Sequence, residues 1–210
     1  MTYLQLKSEL TGKGFNLSDA RIKALHAYIE LLLKWNRVMN LVGRSDAKFI
    51  LNSLILDSFY LGSFLSRVLE ENNRKTTLDL GAGAGLPGIP LRLIWSHGIY
   101  YLVESRIKRA AFMNQAIAAM NLENTFVINA RVQDIDPGVL PAGLIISRAF
   151  MPCPELLPLA NEMLKKKGML IILSGKKFEG QNLPGFRMVE SMEYRVNGKK
   201  RYFWALESNI

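Results

Sequence analysis

The sequence predicts an α/β fold in which a doubly wound parallel sheet follows a helical N-terminal region and closes with an antiparallel hairpin. Over residues 1–70, apolar side chains recur at helical spacing. From Thr76 onward, strand-like runs alternate with helical stretches, which is typical of parallel strands joined by crossover helices. Near the C-terminus, Asn197-Gly198 separates two strand-like segments, and this dipeptide is a strong hairpin signal.

Three helices are predicted in the N-terminal region. The first covers residues 3–13 and ends near two glycines. Ser18 is placed to cap a long second helix, and Ser45 is placed to cap a third helix over 46–69. The apolar face of the second helix, interpreted as core, consists of Leu25, Tyr28, Ile29, Leu32, Trp35 and Met39.

A polar segment at 70–75 separates these helices from the alternating part of the chain. We therefore expect two units, a helical region over 1–70 and a second domain over 71–210. The predicted strands are 76–80, 99–103, 125–128, 144–147, 169–173, 187–196 and 200–206. The predicted helices between them lie near 86–96, 105–121 and 154–166.

Composition and charge narrow the function classes. With 210 residues, of which 49% are apolar, the chain can bury a core and is not a disordered protein. Its net charge of +9 favours a polyanionic partner, most simply a nucleic acid, although an anionic membrane also fits. The one cysteine, Cys153, excludes an internal disulfide and is interpreted as a small core residue. Without a Cys/His cluster or an apolar run of about 18 residues, we expect a soluble cytoplasmic protein without bound metal.

The most informative stretch is 77–90, with the sequence TLDLGAGAGLPGIP. Its first residues resemble the end of a buried strand, and the apolar run after it resembles a helix. Gly81, Gly83 and Gly85 form a glycine-rich turn between them, where a side chain would keep a ligand away from the backbone. A strand, a glycine turn and a helix in this order predict a ligand-binding corner of an α/β sheet.

Two ligand classes fit this turn. Gly83, Gly85 and Gly88 match the dinucleotide pattern G-x-G-x-x-G, with Glu104 about 20 residues further on. Asp79 and the three glycines of the turn match the D-x-G-x-G-x-G pattern of class I S-adenosylmethionine (AdoMet) methyltransferases. Asp79 favours this second pattern, because a carboxylate attracts an ammonium and a sulfonium and repels a pyrophosphate. The C-terminal hairpin also favours the Rossmann-like fold of that class, and a glycine turn without ligand is the third interpretation.

Other candidates lie where strands end, because open parallel sheets bind ligands beyond the carboxyl ends of their strands. The backbone N–H groups of 81–86 can hold the methionine carboxylate. Glu104 can accept hydrogen bonds from ribose hydroxyls, or be an exposed acid that caps the next helix. Val132 and Gln133 are placed beside an adenine. Arg148 could hold the AdoMet carboxylate, an RNA phosphate or a guanine O6, or form only a surface ion pair.

No set of side chains typical of nucleophilic or acid–base catalysis converges, and His26 and His97 are interpreted as structural or exposed. An aromatic nitrogen such as guanine N7 can attack a methyl sulfonium without losing a proton, so such a reaction needs positioning more than a base. Four basic clusters favour a phosphate-binding surface: Arg106/Lys108/Arg109, Lys165–Lys167, Lys176/Lys177 and Lys199–Arg201.

With these residues assembled, the sequence resembles the RsmG (GidB) family, bacterial methyltransferases that modify guanine N7 in 16S ribosomal RNA. The resemblance covers nearly the whole chain. Its most specific motif is LDLGAGAGLPGIPL at 78–91. The other matching segments are LLLKWNRVMNL (31–41), LDSF (56–59), VESRIKRAAF (103–112), ISRAF (146–150) and the terminal hairpin with Arg201. By this resemblance, Gly81, Leu86, Val132, Gln133 and Arg148 fall on AdoMet-contacting positions.

The sequence departs from the family pattern at three positions. Leu54 stands where the family usually has His, Ser174 where it usually has Lys, and Gln133 where it commonly has Glu. The resemblance implies an AdoMet-dependent rRNA (guanine-N7) methyltransferase that acts on 16S rRNA or the small ribosomal subunit, without an obligate protein partner. In that enzyme Arg148 is expected to be catalytic. The alternatives are an AdoMet- and RNA-binding protein that has lost catalysis, a diverged methyltransferase with another RNA target, and an NAD-dependent enzyme.

Overall fold

The computed structural model describes residues 1–43, 46–69, 75–180 and 182–209. Its α-helices are α1 (Tyr3–Thr11), α2 (Asp19–Met39), α3 (Ala47–Ile50), α4 (Leu56–Val68), α5 (Gly88–Leu91), α6 (Ile107–Met120) and α7 (Cys153–Met163). A π-helical turn (Leu51–Ile55) joins α3 to α4, and two 3-10 turns cover Val132–Asp134 and Pro137–Val139. The strands are β1 (Thr76–Leu80), β2 (Ile99–Val103), β3 (Thr125–Ile128), β4 (Ala142–Arg148), β5 (Leu164–Ser174), β6 (Phe186–Val196) and β7 (Lys199–Ser208).

The strands form one seven-stranded sheet in the order β3-β2-β1-β4-β5-β7-β6. Strands β1 to β5 are parallel to their neighbours among themselves, whereas β7 is antiparallel to both β5 and β6. The predicted doubly wound sheet and its antiparallel hairpin are therefore confirmed. Because the strand order reverses between β1 and β4, a ligand crevice is expected beyond the carboxyl ends of these two strands.

The C-terminal hairpin forms where the sequence predicted it. Asn197 and Gly198 both have positive φ, 51° and 75°, which the tight turns of right-twisted hairpins require. The two strands extend beyond the predicted segments, to Phe186–Val196 and Lys199–Ser208. The turn is also tied to the N-terminal region, because Asn197 Nδ2 donates to Ser53 Oγ at 3.2 Å.

The predicted N-terminal helices are present. Ser18 caps α2, since its Oγ accepts from the Arg21 N–H at 3.4 Å. The third helix is capped by Asp46, whose Oδ1 accepts from the Phe49 N–H at 2.7 Å. The predicted cap, Ser45, lies outside the described residues.

The predicted helix over 86–96 is wrong in length, because only α5 forms there. Leu93 N–H donates to Pro90 and Ile94 N–H to Leu91, at 3.2 and 3.0 Å, so the chain tightens into turns after α5. The guanidinium of the buried Arg92 then donates to the carbonyl oxygens of Trp95 and His97, at 3.1 and 2.9 Å. These carbonyl groups point towards a side chain, which ends the helical pattern.

The two faces of the sheet are covered by two apolar clusters. Alternate strand residues point to opposite faces, so Phe203 joins the cluster formed with the N-terminal helices, while Trp204 joins the cluster with α7. The first cluster runs from Leu6 through Phe64 to the sheet without a break among the described residues. The proposed division at residues 70 and 71 stays a prediction, because 70–74 lie outside the described residues.

One helical segment, Ala47–Val68, is long and apolar enough to cross a membrane by length and composition, with a mean hydropathy of 1.4. Of its most apolar window, 67% is buried inside the protein, as in a core helix. This hydropathy is reached without an uninterrupted apolar run, so the absence of such a run from the sequence does not exclude the segment.

Candidate functional site

The glycine loop after β1 has positive φ at Gly81, Gly83 and Gly85, and at two of them a side chain would also collide with a neighbour. Gly81 and Gly85 have φ of 69° and 71°, in the left-handed region. A Cβ on Gly81 would lie 2.4 Å from Phe150 Cδ2, and one on Gly85 would lie 2.2 Å from Ile89 Cδ1. At Gly83 the nearest atom to such a Cβ is Arg109 Nη1 at 3.6 Å, so this face of the loop is more open.

Most N–H groups of the loop donate hydrogen bonds within the protein itself. Those of Gly81 and Ala82 both donate to the Val103 carbonyl at 3.0 Å, and that of Leu86 donates to Ala82 at 3.2 Å. The Gly83 N–H donates to Glu104 Oε2 at 3.1 Å. These bonds fix the loop against the end of β2, and the prediction that N–H groups of the loop hold a carboxylate stays a prediction.

The loop is also held from the N-terminal region. The hydroxyl of Tyr28 on α2 donates to the Ala84 carbonyl at 2.8 Å, in a fully buried contact. The sequence placed Tyr28 on the apolar face of α2, which is correct, but an apolar pattern gives no signal for the role of its hydroxyl.

Glu104 ends β2 as a buried acid, with 6% of its surface exposed. Besides the Gly83 bond, its Oε1 accepts from the Arg106 N–H at 2.9 Å, and Arg109 Nη1 lies 3.7 Å from Oε2. The acid therefore contacts the backbone at the start of α6, as the capping alternative expects, but it is not exposed. An ionised carboxylate has about four lone-pair sites, so further hydroxyl donors can bind.

Asp79 lies beneath the loop, with its carboxylate turned away from the open side. Its Oδ2 accepts from the Tyr100 hydroxyl at 3.1 Å, and a Cβ on Gly88 would come within 2.6 Å of this oxygen. Burial raises the pKa of Asp79 to about 7, against the opposing effects of the Tyr100 hydroxyl, the Gly88 N–H and Arg148. Asp79 and Gly85 line neither of the two cavities described next.

Two cavities open beside the glycine loop. The Glu104 cavity has a volume of about 510 Å³ and contains Glu104, Val132 and Gln133 in its lining. The Arg148 cavity has a volume of about 460 Å³. Its lining includes loop residues, Arg148 and parts of the N-terminal region: Leu41, Val42, Gly43, Phe49, Leu54, Gly81, Ala82, Gly83, Ala84 and Leu86. Gly81, Arg109 and Ala149 line both cavities, so the two share a wall.

Arg148 ends β4 and is not a surface arginine, since 19% of its side chain is exposed. Its Nη2 lies 3.4 Å from Asp57 Oδ2, and its buried Nη1 has no hydrogen-bond partner among the described residues. Asp57 on α4 is fully buried, contacts Arg201 Nη1 through Oδ2 and accepts from the Tyr194 hydroxyl at 3.1 Å through Oδ1. Burial raises the pKa of Asp57, and Arg148, Arg201 and Tyr194 act against that rise.

Two of the departures from the family pattern, Leu54 and Ser174, lie in different parts of the structure. Leu54 lies in the wall of the Arg148 cavity, contributed by the π-helical turn. Ser174 ends β5, where its Oγ accepts from the Lys176 N–H at 3.0 Å, and it lines neither cavity. The first departure therefore bears directly on the site.

Sequence reasoning did not assign Tyr28, Asp57 or Arg109 to the site: Asp57 was noted only within the LDSF segment and Arg109 only within a basic cluster, and no local pattern marks the hydroxyl of Tyr28. His26 Nε2 lies 2.9 Å from the Met1 carbonyl oxygen, and His97 stacks edge-on against Trp95, so neither lines the cavities. In the part of the chain that the structure describes, no group of three or more His, Cys, Asp or Glu residues could hold a metal ion.

The strand order, the hairpin and a glycine loop fixed to an acid at the end of β2 define a class I AdoMet-dependent methyltransferase. Solved structures share this fold. The crystal structure of magnesium protoporphyrin IX methyltransferase (ChlM) from Synechocystis with bound SAM aligns with a TM-score of 0.59 and 11% identity, over 86% of this chain and 97% of that one. M. jannaschii TYW2 in complex with AdoMet aligns with a TM-score of 0.54 and 16% identity, over 73% and 76%.

Sequence comparison identifies the family. The profile of the family described as rRNA small subunit methyltransferase G (GidB) matches residues 21–196. Ribosomal RNA small subunit methyltransferase G of Oleidesulfovibrio alaskensis is 41% identical over 205 residues, covering 93% of this chain and 89% of the relative. The protein of that name from Lawsonia intracellularis is 42% identical over 197 residues, covering 92% and 90%. The chain belongs to this family and is an AdoMet-dependent rRNA methyltransferase, so the NAD alternative is set aside.

Proposed function

We propose that the protein transfers the methyl group of AdoMet to N7 of a guanine in 16S rRNA of the small ribosomal subunit. One observation carries the proposal in this family of rRNA methyltransferases. The Glu104 cavity, which suits a nucleoside, shares a wall with the Arg148 cavity, whose lining includes the partly exposed Arg148 side chain, held by Asp57 at its Nη2. Such a pair of cavities fits a cofactor and an acceptor base that meet at the glycine loop.

The residues of the Glu104 cavity fit the adenosine part of AdoMet. Glu104 is buried, charged and lines the cavity, so it suits two ribose hydroxyls. Val132 is a nearly buried apolar contact for an adenine, and the amide of the exposed Gln133 can bond its edge. Gly81, Gly83, Gly85 and Leu86 shape the loop, and Asp79 lies beneath it, where it accepts a hydrogen bond from Tyr100.

AdoMet supplies an electrophilic methyl group when it is bound. The described residues that line the Arg148 cavity include two arginines and no carboxylate, histidine or cysteine. An acceptor that must lose a proton would need such a base, whereas guanine N7 attacks with a free lone pair. Arg148 then has one task, which is to donate hydrogen bonds to the cofactor carboxylate or to an acceptor on the target nucleotide and so orient it.

The RNA is proposed to dock on the carboxyl edge of the sheet. Three of the four basic clusters lie there, since they follow β2, follow β5 or begin β7, which pairs with the end of β5. The cluster at Lys165–Lys167 begins β5 and so lies at the opposite edge. A ribosomal substrate places the proposed activity in the cytoplasm, and the proposal calls for neither a membrane nor an obligate protein partner.

The central experiment is the transfer of labelled methyl from AdoMet to 30S particles and to free 16S rRNA, followed by nucleoside analysis. We expect label in 7-methylguanosine. Label in a different nucleoside would keep the enzyme class and refute the guanine-N7 target. No label on any RNA, with S-adenosylhomocysteine still bound, would refute catalysis and favour a protein that only binds AdoMet and RNA.

The role of Arg148 is tested by Arg148→Ala. Removal of the guanidinium should lower methyl transfer by about 100-fold or more, because a lost charge-assisted contact costs about 3 kcal/mol at a desolvated site. The matched control is Arg187→Ala, since Arg187 also pairs with an acid, Glu207 at 2.9 Å, but is exposed on β6. Wild-type turnover in a folded Arg148→Ala protein would refute the role. A loss of S-adenosylhomocysteine affinity in parallel assigns Arg148 to the cofactor, and unchanged affinity assigns it to the RNA.

The docking face is tested by two charge removals. Lys108→Gln removes a charge from the exposed start of α6, at the carboxyl edge of the sheet. Lys166→Gln removes a charge from the opposite edge. The log–log salt dependence of RNA binding should lose about 0.7 to 0.9 of slope in Lys108→Gln and nothing in Lys166→Gln. Equal slopes in the two variants would contradict the proposed face.

A further inference from the structure

Four charged or hydroxyl-bearing side chains meet behind the wall of the Arg148 cavity, and we call them the arginine cluster: Asp57, Arg148, Tyr194 and Arg201. They come from four elements, α4, β4, β6 and β7. Asp57 is at the centre, because each of the other three contacts its carboxylate. None of these contacts involves the glycine loop or the Glu104 cavity.

The charges in the cluster do not balance. Two guanidinium groups, Arg148 and Arg201, share the single oxygen Oδ2 of Asp57. Arginine stays protonated in proteins, so the ionised cluster keeps one net positive charge. That charge lies at the cavity wall, because Arg148 is the member that lines it.

The two arginines are held unequally. Arg201 forms a close charged hydrogen bond to Oδ2, whereas Arg148 Nη2 lies 3.4 Å from the same oxygen, at the outer limit of a hydrogen bond. The Tyr194 hydroxyl occupies Oδ1 at 3.1 Å, and Tyr194 is itself fixed by stacking on Phe203 at a centroid distance of 4.2 Å. The two oxygens of Asp57 are therefore bonded to side chains of β6 and β7. The carboxylate orients Arg148 but does not neutralise its charge.

Without this carboxylate, Arg148 and Arg201 would repel each other across a partly buried space. The geometry points to Asp57 as a positioning residue, which holds the partly exposed Arg148 guanidinium at the cavity wall, so that N–H groups not used by Asp57 can donate to an acceptor oxygen of the cofactor or the target nucleotide. Asp57 acts through Arg148 and lines neither cavity itself. The N-terminal helices are then part of the active site, since α4 supplies this anchor. The inference rests on the proposed role of Arg148.

The first test measures the anchor directly and does not depend on activity. In the wild-type protein, ¹⁵N–¹³C NMR of arginine guanidinium groups should show slow rotation for Arg148 and Arg201, assigned with Arg148→Lys and Arg201→Lys. In Asp57→Asn, which keeps the shape and removes the charge, Arg148 should rotate freely. Unchanged slow rotation in Asp57→Asn would overturn the inference even if methyl transfer behaves as proposed.

The second test is a double-mutant cycle on methyl transfer to 30S particles. Asp57→Asn should lower turnover by about 10- to 100-fold, as misplacement of an orienting group does. The double variant Asp57→Asn/Arg148→Ala should be no slower than Arg148→Ala alone, because the anchor has no other route to the reaction. Multiplying losses in the double variant would assign Asp57 a role of its own and refute the positioning.

Asp19→Asn is the matched control for both tests. Asp19 likewise contacts a cation, Lys7 at 2.8 Å, and a tyrosine hydroxyl, Tyr3 at 2.8 Å, but these groups are exposed and remote from the cavities. It should keep wild-type turnover and wild-type Arg148 signals. Thermal melting of each variant distinguishes a loss of folding from a loss of positioning.

The variant Tyr194→Phe supplies a milder test. It removes only the bond to Oδ1 and should slow transfer by less than Asp57→Asn; a larger loss would place the anchor elsewhere.

Discussion

The Glu104 cavity and the arginine cluster both adjoin the Arg148 cavity, yet they are built in opposite ways. The bond that shapes the Glu104 cavity joins Gly83 to Glu104, which are 21 residues apart in one strand–loop–strand unit. The contact at the centre of the arginine cluster joins Asp57 to Arg201, which are 144 residues apart. The first site depends on local backbone shape, and the second depends on four elements arriving together. Each can therefore be damaged without the other.

The largest effect is expected from Gly85→Ala, a change in the glycine loop, where structure depends on local backbone shape. The new Cβ would lie 2.2 Å from Ile89 Cδ1 at a φ of 71°, so overpacking and backbone strain together should cost about 2–4 kcal/mol of unfolding free energy. Urea unfolding and S-adenosylhomocysteine binding measure the result. Gly175→Ala is the control, because a Cβ there meets nothing within 4 Å. Equal stability of the two variants would show that the loop tolerates a side chain.

A smaller effect is expected from Glu104→Gln, which keeps the cavity shape and removes its charge. The dissociation constant of S-adenosylhomocysteine should rise by about 10- to 100-fold, since hydrogen bonds to a charged group contribute about 1.5–3 kcal/mol. Calorimetry provides the measurement, with Glu207→Gln as the control at an exposed ion pair. The arginine signals should not change. Wild-type affinity in Glu104→Gln would refute the ribose role.

A further effect is a pH dependence of stability that belongs to Asp79. Its folded pKa of about 7 lies above the unfolded value of about 3.9, so its stabilising contribution is complete below the unfolded value. That contribution is lost as pH rises through the folded value. The stability of the wild type relative to Asp79→Asn should therefore fall between about pH 4 and pH 7. Parallel stability curves for the two proteins would contradict this.

Asp19→Asn checks the sign of that prediction. The pKa of Asp19 is lowered, first by its hydrogen bond with Lys7. Its contribution is present above the unfolded value and is lost as pH falls through the folded one, which is the opposite slope. The two variants together show whether burial or ion pairing determines the pKa of each carboxyl group.

Much of the site could be predicted from the sequence because its parts are local. The alternation of strand and helix patterns places β1, β2 and β4 side by side, and the parallel arrangement brings Gly81, Glu104 and Arg148 to one edge. The hairpin followed from Asn197-Gly198, whose turn chemistry needs no tertiary contact. The predicted length of the helix over 86–96 was wrong, because the carbonyl groups after α5 are turned towards Arg92. This packing leaves no trace in the apolar periodicity of the sequence.

The sequence by itself determined the fold class, the glycine loop and the acid at the end of β2, because backbone sterics and side-chain period act over a few residues. Only the tertiary structure decided that Asp79 faces Tyr100 beneath the loop, that Leu54 lines a cavity and that Arg148 is anchored by Asp57. Those contacts join residues from helices and strands that are distant in the chain. No local pattern encodes them, because they exist only where the packed core brings α4 against the sheet and its hairpin.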